Sequence, residues 1–170
     1  MEDINWRNKS LTPDKAYLKI RHYCAFQERT HQEVKMKLHG YGVSWTDIGE
    51  IVSKLIEEGF LNEERFAAAF VGGKFRIKQW GRKKIELELK KKQVSDHNIR
   101  IALRDVIDHG EYEKTIMKII EKKWHSIRPE SDSSFTKQAK TKAYLFQRGF
   151  ESNLVSIVLK KFLEKLNSED

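Results

Sequence analysis

Between Val71 and Val94 the chain carries nine basic and two acidic side chains, a local excess of +7 within a total of +8. The chemistry open to such a cluster is anion binding, because ammonium and guanidinium groups displace the counterions condensed on a polyphosphate. Concentrated on one surface, they favour a nucleic acid or a nucleoprotein as partner. The candidate contacts are Lys74, Arg76, Lys78, Arg82, Lys83, Lys84, Lys90 and Lys91. Phe75, Ile77 and Trp80 interleave with the first of them. An exposed aromatic there would stack on a base, although core burial is the commoner use of such a ring.

Nothing comparable equips the chain for catalysis. His22, His31, His39, His97, His109 and His125 are scattered, and none forms the HExxH or paired spacing of a metal site. No GxxxxGK[ST] loop is present to cradle a nucleotide phosphate. A lone Cys24 excludes an intrachain disulfide, and its place on an apolar helix face reads as core. Glu63 and Glu64 follow Asn62 in a first helical turn, where carboxylates complement the helix dipole. The expectation is a protein with no catalytic residue, no metal and no cofactor.

The elements that must position these residues are helices. With only Pro13 and Pro129 to interrupt it, the chain returns apolar residues every three or four positions. Start signals recur at Thr12, Thr30 with Glu33, Ser44 with Asp47, Asn62, Ser95 and Ser152. Stop signals recur at Gly40, Gly42, Gly59, Gly110 and Gly149. About nine helices of 10 to 17 residues fit between them. Ile85 to Leu89 alternates apolar and charged residues as a strand would, but its leucines, glutamates and lysines favour helix, with Glu86–Lys90 and Glu88–Lys92 four apart. In that helix Ile85 and Leu89 face inward and Lys83, Lys84, Lys90 and Lys91 lie opposite. Leu87, among the lysines, is expected to pack against a neighbouring repeat.

The helices fall into repeats. Leu38, Val43, Ile48, Val52 and Leu55 recur at Leu89, Val94, Ile99, Leu103 and Val106, all 51 residues on. A third copy, Leu145, Phe150, Val155, Leu159 and Phe162, follows 56 residues later. The expected fold is all-α: three tandem three-helix repeats in an elongated, curved, right-handed or solenoid-like array, each unit burying its face on the next. The bounds are a tail at 1–11, repeats at 12–59, 60–109 (the basic one) and 110–166, and a tail at 167–170, with a linker at 128–134 inside the third repeat. Charged residues reach 34%, above the usual quarter, yet 39% hydrophobic content suits a folded chain. The longest apolar stretches, such as Phe66 to Val71, fall far short of the roughly 20 residues a bilayer requires, and the first residues lack a secretory run. A cytoplasmic location with no membrane association is expected.

Gly59-Phe60-Leu61-Asn62-Glu63-Glu64-Arg65-Phe66-Ala67 resembles the RecX regulators of bacterial recombination. Residues Arg29 to Leu38 resemble the first-repeat helix of that family, Gly81 to Ile85 with Leu89 its basic second-repeat helix, and Leu145 to Phe150 its third-repeat signature. The similarity runs in order over about residues 12–165. Two positions depart from the pattern: Gly72-Gly73 stands where larger or charged residues are usual, and Gln93 precedes Val94 where glycine is common.

The resemblance implies a regulator that binds the RecA recombinase filament on single-stranded DNA and modulates, chiefly by inhibition, its ATPase and strand exchange in recombination, DNA repair and the SOS response. It implies weak, nonspecific contact with single-stranded DNA by a monomer. Arg65, inside the shared motif, is either a further contact or a fastener between repeats. Two other readings of the residues stand beside this one. A helix-turn-helix transcription factor would use the Gly40 to Ser44 turn and read a particular duplex site. A helical-repeat adaptor would bind an acidic protein with no DNA involved.

Overall fold

The helix boundaries are set by local hydrogen bonds at the starts. In the computed structural model, which describes residues 10–128 and 133–169, the elements are α1 (Pro13–Phe26), α2 (His31–Gly40), α3 (Trp45–Glu57), α4 (Glu63–Arg76), α5 (Arg82–Lys91), α6 (Asp96–Val106), α7 (His109–Ser126), α8 (Ser134–Gln147) and α9 (Ser152–Glu169). No strand occurs among the described residues. The side chains of Thr12, Ser44, Asn62 and Ser95 each accept an N–H three residues on, and Thr30 with Glu33 closes a reciprocal capping box. Each cap satisfies a donor that the helix leaves without a partner.

Several expectations are corrected. Gly110 does not stop a helix; Asp108 caps α7 by accepting from Glu111 N–H, which carries Gly110 into the first turn. Ser152 is the first helical residue of α9 rather than its cap, and α9 runs through 167–169, where a tail was expected. Helices α7 and α9 reach 18 residues, beyond the expected range. Leu87, expected to be covered by a neighbouring repeat, is 53% exposed. Of the expected 128–134 linker and N-terminal tail, residues 129–132 and 1–9 lie outside the described residues. Leu11 ties the chain entry to the first unit, donating its N–H to Tyr41 O at 2.9 Å.

The repeat is visible in the backbone. Gly42, Gln93 and Gly149, related by the same offsets of 51 and 56, all take left-handed φ values of 77°, 60° and 86°. Immediately after them Val43, Val94 and Phe150 donate to the carbonyls of Leu38, Leu89 and Leu145 at 3.4, 3.2 and 3.1 Å. This is the same helix-ending turn three times over. In the middle unit the left-handed residue is glutamine, which holds that conformation without the freedom of glycine. The equivalent apolar residues are buried, Leu38, Leu89 and Leu145 fully so, except that Leu103 and Val106 of the middle unit are only partly buried against its core.

Two cores result. The first unit encloses Ile20, Val34, Leu38, Ile48 and Leu55, with Cys24 beside them, its thiol pushed up to about 11 by burial. A second, continuous core runs from Phe66 through Leu89, Tyr112 and Phe150 to Phe162, uniting α4–α9. The first unit meets the rest through polar contacts. Arg65 Nε pairs with Glu28 at 2.7 Å while its Nη2 donates to Gly59 O at 2.9 Å, and Lys92 Nζ pairs with Glu33 at 2.8 Å. Burial alone would raise the Glu33 carboxyl, but hydrogen bonds from Lys92 and from Thr30 N–H overcome it and hold the group below the usual carboxylate range.

The second and third units join through backbone. Helix α5 has no side-chain cap; instead Gly81 N–H donates to Arg148 O at 2.7 Å, Lys83 N–H to Gly149 O at 3.1 Å, and Arg82 N–H to the Tyr112 hydroxyl at 2.9 Å. A Cβ at Gly81 would collide with the Gly149 carbonyl, and one at Gly149 with the backbone of Lys84.

Gly81→Ala is therefore expected to lower stability by about 1–3 kcal/mol, whereas Gly49→Ala, on an open stretch of α3, raises it by about 0.5–1 kcal/mol. Denaturant unfolding of the two variants measures both, and a Gly81→Ala protein as stable as its parent would remove the backbone joint. Because the folded Glu33 carboxyl lies lower than the unfolded one, its contribution is present at neutral pH and lost as pH falls through and below the ordinary carboxylate range. Melting temperature measured from pH 7 to pH 3 is expected to fall less steeply in Glu33→Gln than in the parent; parallel curves would contradict this.

Candidate nucleoprotein interface

The basic segment occupies the last turns of α4, the connection to α5, and α5 itself. Its anchors are apolar: Phe75 is 3% exposed and lies 5.6 Å from the Tyr112 ring, while Ile85 and Leu89 are fully buried. With Phe75 in the core, base stacking on that ring is excluded. Trp80 is half-buried, and its ring carries two ammonium groups, Lys74 Nζ at 4.9 Å and Lys84 Nζ at 4.5 Å. That arrangement fixes the two lysines through cation–π attraction and presents them together.

From there the surface enters a cleft of about 400 Å³ between the first and second units. Arg29, Glu33, Phe70, Lys74, Lys78 and Lys92 line it, with Ile77, 78% exposed, also on its wall. Lys92 reaches across it to Glu33. The arrangement is a positively charged furrow with an apolar floor, able to hold an anionic chain or an acidic helix by charge and by contact area.

The other expected residues divide. Lys83 is exposed on the outer face of α5. Lys90 pairs with Glu86 at 2.7 Å and Asp96 at 3.7 Å, and Lys91 with Glu88 at 2.8 Å, so part of their charge is neutralised at home. The hydrogen bond from Lys91 holds the Glu88 carboxyl below the usual range, with Lys84 and Lys74 adding to it. Arg82 turns into the joint: its guanidinium lies 4.0 Å from the Tyr112 ring and 3.6 Å from Glu151. Burial pushes the Tyr112 phenol far up, and a hydrogen bond to Glu151 adds to it, so the hydroxyl stays neutral and donates to that carboxylate at 2.6 Å. Arg65 likewise spans Glu28 and Gly59 at the first joint. Arg76 leans the other way, toward Val106 O at 3.4 Å and helix α7.

Sequence reasoning missed Arg29 and Lys92, which sit in the furrow, and a second group of cations on α7. Lys114, Lys118 and Lys122 recur every four residues, a period that was available as a signal but was masked by Glu111, Glu113 and Glu121 in the same helix. Among the described residues no cluster of three or more His, Cys, Asp or Glu side chains is arranged to hold a metal, and no helix is long and apolar enough to cross a membrane.

Comparison with known proteins agrees with this architecture. Residues 62–103 match the family model of the RecX second three-helix domain, and residues 111–159 that of the third. Regulatory protein RecX of Bacillus cytotoxicus is 29% identical over 151 residues, covering 89% of this chain and 55% of the relative. That of Oceanobacillus iheyensis is 30% identical over 160 residues, covering 94% and 58%. The chain thus spans somewhat more than half the length of these curated relatives. The crystal structure of RecX from Lactobacillus salivarius superposes with a TM-score of 0.80 at 28% identity, over 88% of this chain and 95% of that one. A second crystal structure of a regulatory protein RecX shares the fold, with a TM-score of 0.77 at 20% identity. With two successive three-helix domains matched by the family's own models and the helical array shared with its solved structures, the chain belongs to the RecX family of regulatory proteins.

Proposed function

We propose that this chain is a cytoplasmic regulator of a RecA-type recombinase, binding its filament on single-stranded DNA and inhibiting ATP hydrolysis and strand exchange without chemistry of its own. The observation that carries the reading is a basic, tryptophan-anchored surface in the middle of an array of RecX type. Units at 12–59, 60–109 and 110–166 each supply a weak contact, and linked weak contacts combine into useful affinity on a repeating partner. The regulator works by binding one filament state better than another; equal affinity for both would shift nothing. Within the middle unit, Lys74, Lys78, Lys83 and Lys84 make the electrostatic contacts. Lys90 and Lys91 contribute less because of their carboxylate partners, while Arg65, Arg76 and Arg82 keep the surface in place.

Replacing Lys74, Lys78, Lys83 and Lys84 together by alanine is expected to raise the concentration needed for half-inhibition of recombinase ATPase and strand exchange at least tenfold. Helical content by circular dichroism should be unchanged, since none of the four has a carboxylate within ion-pair distance among the described residues. Lys90→Ala/Lys91→Ala should have the smaller effect. A parent protein that neither binds the filament nor alters its ATPase, or that selects a particular duplex sequence instead, would overturn the reading.

A further inference from the structure

Helix α7 looks nearly neutral in sequence, yet its charges are sorted by face. Glu113 is turned away to His109 at 3.3 Å and to Lys161 of α9 at 3.4 Å. Glu121 lies with His125 and Phe162 on the side facing α9. Lys114, Lys118 and Lys122, one turn apart, occupy another face, exposed and with no carboxylate within 4 Å among the described residues. Successive members are about 6 Å apart along the axis.

These lysines line two adjoining hollows that share Gln79 and Lys118. One, of about 380 Å³, adds Arg76, Lys114 and Thr115; the other, of about 280 Å³, adds Lys122, Lys123, Tyr144 and Arg148. Together they make a groove along α7, walled by the end of α4 and its turn on one side and by α8 on the other. Six cations line it against one carboxylate, Glu111 at one end. Its far wall is rigid: Arg148 donates to Lys78 O at 2.9 Å and to the Tyr144 hydroxyl at 2.8 Å, and Lys123 Nζ lies 5.0 Å from the Tyr144 ring.

We infer that this groove is a second binding site, separate from the α4–α5 surface, which holds the phosphate backbone of a single-stranded nucleic acid. The row of unpaired lysines tracks a polyanion, and release of condensed counterions supplies the affinity. The smaller hollow favours a single strand over a duplex: half-buried Tyr144 and the polar side chains of Gln79 and Ser126 line a space of about 280 Å³, which admits a splayed base and not a duplex flank. The lysines recur without a pattern of base-reading side chains, so the site has little sequence preference. The inference stands without the recombinase reading, because it concerns the free protein and bare nucleic acid.

The test is binding of the full chain to a fluorescent single-stranded oligonucleotide and to a duplex of equal length across a salt series, with no recombinase present. Lys114→Ala/Lys118→Ala/Lys122→Ala is expected to weaken single-strand binding between tenfold and a hundredfold near 0.1 M salt and to lower the log–log salt slope by about 2. The matching triple arginine variant should retain affinity, and melting temperature should be kept in both, because no ion pair is lost. Wild-type affinity and slope in the alanine variant would overturn the site. So would loss of single-strand binding in Lys74→Ala/Lys78→Ala/Lys83→Ala/Lys84→Ala with the α7 variant unaffected, or tighter binding of duplex than of single strand. If the α7 variant keeps oligonucleotide affinity but loses recombinase binding, the groove is a protein contact and the inference fails, whereas loss of strand binding with inhibition intact supports the site and leaves the recombinase reading standing.

Discussion

The start of helix α5 depends on carbonyls that belong to another repeat. Its first turn carries Arg82, Lys83 and Lys84, no acidic residue and no side-chain cap. Three cations at the positive end of a helix dipole oppose each other and the helix. The compensation comes from the C-terminal end of α8, where Arg148 O and Gly149 O accept the N–H groups of Gly81 and Lys83. The negative end of one dipole thus meets the positive end of another. That meeting requires backbone-to-backbone approach, and only glycine at 81 and 149 leaves room for it. The concentration of positive charge in the middle unit is therefore sustained by the third unit, with Glu151 and the buried Tyr112 hydroxyl completing the support around Arg82.

This asymmetry divides the array mechanically. Units two and three share one core and a backbone joint, and across it the Phe75 ring lies 5.6 Å from that of Tyr112, buried side chains whose exposure on separation costs about 1.5–3 kcal/mol each. Units one and two are fastened by Arg65–Glu28 and Lys92–Glu33, part-exposed pairs of a kind worth about 0–1 kcal/mol each. The basic furrow lies over that weaker junction and uses one of its fasteners, Lys92, as lining.

What the sequence disclosed and what it hid follow from the range of the interactions. Caps at Thr12, Thr30, Ser44, Asn62 and Ser95 operate over three residues and were legible, as was the burial of Leu38, Leu89 and Leu145, which recurs with the repeat. Gly110 misled because a glycine reads as a stop unless Asp108, just upstream, is recognised as a start. Arg82 was expected at the partner surface and lies in the joint, since its partners Tyr112 and Glu151 are 30 and 69 residues away. The α7 groove escaped because counting charge by segment averages over faces, and on α7 Glu113 and Glu121 are turned toward α9, away from the lysines, while Glu111 stays at one end of the groove. Leucine commonly packs on a neighbour, but α5 spends its inward face on Ile85 and Leu89 and leaves Leu87 to solvent.

The last turn of α4 explains why this chain has two basic surfaces rather than one. Lys74 and Lys78 are four residues apart and share a face, whereas Arg76, two residues from each, is rotated about 200° from Lys74 and reaches the opposite side. Alternating cations at the end of a helix are thus dealt to both flanks of the wall that the α4–α5 turn forms. Gln79, at φ 52°, turns the chain there, and Arg148 pins it through the carbonyls of Lys78 and Gln79. Because the wall is held from α8, a ligand drawing on Lys74 and Lys78 and one drawing on Arg76 meet different faces of a single rigid partition. The α4–α5 surface and the α7 groove therefore share this wall without sharing a cation.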